Sequence, residues 1–121
     1  MKTATIAIIA AAAALSISAG YAQTALGVPN KHLCIQTSMI DSMTYPDDKT
    51  IIFHMTGGPV KTYRNDLPAE CPGLKFEQGI AWNIWGGEVC SNMQIFYVLH
   101  RGTPCALGAF TPVELRTPPP H

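Results

Sequence analysis

Hydrophobic and polar positions divide this chain into three regimes. Residues 6–15 form an unbroken apolar run rich in alanine, preceded by Lys2 and followed by Gly20-Tyr21-Ala22. A positive start, a short apolar centre and small residues at the −3 and −1 positions predict an export signal over 1–22, cleaved before Gln23. The run is shorter than the roughly 20 residues that a spanning helix needs, and no cysteine stands at the cleavage point to carry a lipid. Residues 23–33 are mixed in polarity and without period, which reads as a flexible arm. Thr117-Pro118-Pro119-Pro120-His121 is a Pro-rich tail that cannot join a sheet, because proline lacks the amide donor.

Between these ends, the pattern of residues 34–116 favours short strands separated by turns. Ile51, Phe53 and Met55 share one face of a β-branched, aromatic stretch, and Gly57-Gly58 then turns the chain into Val60–Arg64. Pro46-Asp47-Asp48 closes an earlier strand over Met39–Tyr45. Ile80, Trp82 and Ile84 alternate with Ala81 and Asn83 until Gly86-Gly87. Met93–Leu99 is apolar at almost every position, which predicts a central strand covered on both sides. Arg101-Gly102-Thr103-Pro104 turns again, and Cys105–Val113 supplies a last strand interrupted by Gly108. No segment carries a helical stripe over three turns. The fold class is therefore all-β: a small disulfide-stapled barrel or sandwich of five to six short strands in a single domain.

Cys34, Cys71, Cys90 and Cys105 change the picture most. An even set in a short exported domain predicts two disulfides formed in an oxidising compartment, periplasmic or secreted. Spacing leaves three connectivities open. Cys71–Cys90 with Cys34–Cys105 is the favoured pair, since it closes the Ile80 excursion and ties the first strand to the last. No Cys-x-x-C motif points to redox chemistry, and no close ligand pair points to zinc. Charge adds one exclusion: without 1–22 the chain carries −1, too little positive field for nucleic acid or an anionic membrane.

Several motifs together resemble a family of small exported bacterial proteins of unassigned function. They are Cys34-Ile35, Asp47-Asp48 leading into Phe53, Tyr63-Arg64-Asn65-Asp66-Leu67, Cys71-Pro72-Gly73-Leu74, Val89-Cys90 and Cys105-Ala106-Leu107-Gly108-Ala109-Phe110. The resemblance implies export and supplies no catalytic residues. This chain has Asn92 where relatives tend to carry an acid two residues after the third cysteine.

Candidate chemistry is sparse. Asp47-Asp48 is better read as a turn than as a metal or acid–base pair. Ser38, Ser42 and Ser91 lack the context of a nucleophile elbow. Met39, Met43, Met55 and Met93 with His54 raise copper handling, although no tight cluster appears and core packing is the ordinary use of methionine. Trp82 and Trp85 should face opposite ways, Trp82 inward and Trp85 outward beside Gly86-Gly87, where an exposed indole can contact a partner or ligand. The reading is a non-enzymatic domain that binds a periplasmic protein or small ligand, with no cofactor and no membrane anchor. The alternatives are copper handling and a small enzyme or enzyme inhibitor. The intact mass of exported protein should correspond to a chain beginning at Gln23 with all four cysteines paired. A full-length chain with four alkylatable thiols contradicts that reading.

Overall fold

Residues 26–117 are described by the structure, a computed structural model. The expected signal over 1–22 and the tail beyond Thr117 lie outside them. Among the described residues, nine short strands make three antiparallel sheets, in place of the five or six strands expected. The largest sheet has the order β2-β3-β4-β9, from Ile40–Asp47, Thr50–Met55, Val60–Asp66 and Phe110–Leu115. The second has the order β5-β7-β8, from Ile80–Ala81, Ile95–Val98 and Pro104–Ala106. The third joins β1 (Cys34–Gln36) to β6 (Glu88–Cys90). The sheets share one core and do not close on themselves, so the arrangement is sandwich-like.

The two-residue period places the core. Ile51, Phe53 and Met55 all point inward, as their alternation requires. Phe53 is fully buried between the edge of Phe110, with ring centroids 5.2 Å apart, and the stacked indole of Trp82 at 6.2 Å. Ile35, Val89, Phe96 and Val98 extend the core from the smaller sheets, and Leu107 joins it just past β8. Gly58, with φ 87°, turns β3 into β4. The turn into β3 is set by Asp47, whose Oδ1 accepts from the Lys49 amide at 2.8 Å. Asp48 Oδ1 accepts from the Lys75 amide at 2.8 Å. Asp47 thus serves its own turn, whereas Asp48 ties that turn to backbone distant in sequence.

Four expectations are corrected. The disulfides join Cys34 to Cys90 and Cys71 to Cys105. Antiparallel pairing of β1 with β6 sets Cys34 directly opposite Cys90, with buried Ile35 opposite Val89. Cys105 shares the inward face of Phe96 and meets the fully buried Cys71 there. Sequence separations of 56 and 34 give each bridge about 4 kcal/mol in the chain-entropy account.

The segment Met93–Leu99 is central in its sheet, yet it is covered on one side only: Phe96 and Val98 are buried, while Ile95 and Tyr97 are exposed. The stretch Cys105–Val113 is two strands in two different sheets, parted at Gly108. Residues 26–33 of the expected arm lie against β9, with Gly27 and Asn30 donating to the Pro112 and Phe110 carbonyls at 2.8 and 2.9 Å. A single helical turn, α1 (Leu74–Glu77), is also present between left-handed Gly73 and Gln78. Four residues are too few to show a helical stripe.

The crossing between β8 and β9 is held by a side chain. Asn65, wholly buried on β4, donates from Nδ2 to the Gly108 carbonyl at 2.8 Å and accepts the Gly108 amide at Oδ1 at 2.7 Å. The Gly108 carbonyl also accepts from the Asn92 amide at 3.0 Å. A Cβ at residue 108 would run into the Asp66 carbonyl oxygen, so only glycine fits. Asn65→Ala leaves a buried amide unpaired and should destabilise the domain by about 3 kcal/mol in urea unfolding. Lys61→Ala, which removes only an exposed 3.8 Å ion pair with Glu114, should cost about 0.5 kcal/mol or less. Equal losses for the two variants contradict this role of Asn65.

Candidate binding surfaces

The outer face of the β5-β7-β8 sheet is apolar throughout. Register places Ala81, Tyr97 and Pro104 in one row across the three strands, and Ile95 beside Ala106 in the next. Ile95 is 49% exposed and Tyr97 43% exposed. No charged side chain interrupts these rows, and Leu99 and Met93 extend the exposed apolar set at either end of β7. The strands beneath are fixed by Phe96 and Val98, whose side chains are buried, and by the Cys71–Cys105 bridge. A continuous apolar sheet face on a rigid base is unusual for a surface exposed only to water.

Trp85 stands 89% exposed between β5 and β6, beside left-handed Gly86 and Gly87, as expected. Trp82 faces the core. The outward Trp85 adds a large aromatic surface to the exposed set.

The outer face of the other large sheet is polar. His54 lies in register with Ser42 on one side and Thr62 on the other. Its Nε2 is 3.2 Å from Thr44 Oγ1. Thr62 Oγ1 donates to Glu114 at 2.9 Å, so that carboxylate is engaged by threonine rather than by the imidazole. The methionine–histidine set considered for copper is divided: Met55 is buried on the inner face of β3, His54 lies on the outer face, and Met93 is 79% exposed elsewhere. No group of three or more His, Cys, Asp or Glu side chains is placed to hold a metal among the described residues. Ser91 is structural, since its Oγ donates to the Asn30 carbonyl at 2.8 Å and accepts the Phe110 amide at 2.9 Å.

A third cluster surrounds α1. Glu77 accepts from Arg101 Nε at 3.0 Å and lies 3.1 Å from His100 Nδ1. The Arg101 guanidinium is 5.9 Å from the ring centroid of Phe76, which is 81% exposed. Beside Phe76 an open hollow is bordered by Asp47, Asp48 and Glu70, two of whose carboxylates already cap backbone amides. Sequence reasoning missed this cluster. Its members are distant in sequence, and only the helical turn aims Glu77 at the 100–101 loop.

The fold and surfaces define a disulfide-stapled all-β domain with one apolar and one polar sheet face. Two intramolecular bridges fit an oxidising, extracellular kind of environment. No helix among the described residues is long and apolar enough to cross a membrane. No protein family, curated protein or solved structure matches the chain.

The bonds from Arg101, then His100, hold the Glu77 carboxyl below its usual range. A lowered pKa contributes stability that is present above the unfolded-state value and is lost as pH falls through the folded one. Unfolding followed below about pH 5 should therefore show a shallower acid loss in Glu77→Gln than in the parent. Superimposable acid profiles contradict that contribution.

Proposed function

We propose that this chain is an exported, non-enzymatic binding domain that docks a protein partner on the outer face of the β5-β7-β8 sheet. The observation that carries the reading is the unbroken apolar face of Ala81, Ile95, Tyr97, Pro104 and Ala106. Its lack of charge favours an apolar, uncharged protein surface as the complement. The slight negative charge of residues 23–121 disfavours an anionic lipid surface instead. Tyrosine and tryptophan are the side chains that most often carry binding energy at such contacts, and Tyr97 and Trp85 are both available. Export to the periplasm or medium accords with the expected signal over 1–22, with the two bridges, and with the resemblance to small exported bacterial proteins.

A photo-crosslinking residue at position 97, in the exporting cell, should yield a discrete adduct with one other protein. The same probe at Ser42, exposed on the polar face, should not. Tyr97→Asp should lower capture on the order of tenfold or more without lowering the thermal midpoint. Identical adducts from both positions, or adducts only between copies of this chain, contradict the proposal.

A further inference from the structure

The folded-back arm creates a second site, on a different face from the proposed docking surface. Gly27 and Asn30 hold residues 26–33 to β9 through the Pro112 and Phe110 carbonyls. A cavity of about 480 Å³ lies between the arm, the end of the β3–β4 hairpin and Tyr63. That volume lies within the roughly 300–1,000 Å³ typical of small-molecule sites. Its walls are largely apolar, with Leu33, Val60 and Pro112 contributing from three different segments.

The polar side chains lining this cavity share one property. Asn30, Lys31, His32 and Tyr63 all carry hydrogen-bond donors, and no lining residue is a carboxylate. The Asn30 side-chain oxygen is taken by the His32 amide at 2.9 Å, which leaves its NH₂ group as the outward function. Lys31 has no ion-pair partner among the described residues. The Tyr63 ring is fixed edge-on to Phe110, with centroids 6.1 Å apart. Burial pushes the Tyr63 hydroxyl pKa up, so the group keeps its proton at neutral pH. An apolar cavity edged by donors and one unpaired cation is complementary to an anion on an apolar body.

We infer that the cavity between the arm and β9 binds a small carboxylate with an apolar tail, its carboxylate held by Lys31, Asn30 and Tyr63 and its tail lying against Leu33, Val60 and Pro112. The ammonium supplies charge attraction, and the two neutral donors fix direction. Because the arm forms one wall, a ligand that fills the cavity should also protect the arm.

Octanoate is the direct probe, with octanol and octylamine as uncharged and cationic counterparts of equal chain length. NMR titration of the intact mature protein should show octanoate shifting amides of residues 28–33 and of Tyr63. Its affinity should be about tenfold or more above that of octanol, with no saturable binding of octylamine. Lys31→Gln should reduce octanoate binding to the level of octanol, and Tyr63→Phe, which keeps the ring against Phe110, should weaken it severalfold. Tyr97→Asp should leave octanoate binding unchanged, which separates this site from the partner-docking face. Equal binding of all three probes, shifts confined to β7, no saturable octanoate binding, or insensitivity to Lys31→Gln each overturn the inference.

Discussion

A buried amide at Asn65 occupies the place of a peptide group, and the connection between the sheets depends on it. Where β8 ends and β9 begins, the backbone must cross from one sheet to the other through the core. Crossing strands lose their ladder partners, and an unpaired buried amide or carbonyl is costly. Asn65 supplies one donor and one acceptor to Gly108, and Asn92 adds a second donor to the same carbonyl. On either side, the Leu107 amide reaches the Gln94 carbonyl and the Phe110 amide reaches Ser91 Oγ. Asn65 and the segment 91–94, distant from each other in sequence, thus meet on residues 107–110.

The two bridges reinforce different parts of this arrangement. Cys71–Cys105 lies on the inward side of β8 and fixes the second sheet against the chain that follows β4. Cys34–Cys90 closes the small β1–β6 sheet, where Cys34 is exposed to solvent. Both surfaces proposed for binding inherit rigidity from this frame. The apolar face belongs to β5, β7 and β8, and the cavity belongs to the edge of β9, so the segment at Gly108 lies between them in the chain. A preorganised surface loses less conformational entropy on binding, which matters for a domain of this size.

Much of the fold was legible because it is local. The period of two in Ile51, Phe53 and Met55 set their common face, and the offset of three between Trp82 and Trp85 separated inward from outward. Glycine pairs marked turns. The misread features were pairings between distant segments. Nothing near Cys34 reports that Val89 will be its neighbour's partner, so the bridges were matched by chain order instead of by register. In β7 both faces are apolar in composition, so the exposed face of Ile95 and Tyr97 has the same composition as the covered face of Phe96 and Val98. At Gly108 the interruption was visible, but its meaning rests on the close approach of the Asp66 carbonyl. Asn65 stands as an amide in the middle of an otherwise strand-like run, and its role appears only once Gly108 is brought beside it. The arm lacked any period because the bonds that hold it to β9 and to Ser91 use its backbone atoms, whatever its side chains.

Amide hydrogen exchange on the oxidised mature protein, resolved by residue, tests the central claim most directly. The amides of Gly108, Phe110 and Asn92 should exchange among the slowest in the molecule, opening only with global unfolding. Exchange at those three positions as fast as in the Gly86-Gly87 loop, while β3 and β4 remain protected, would contradict a crossing held by Asn65.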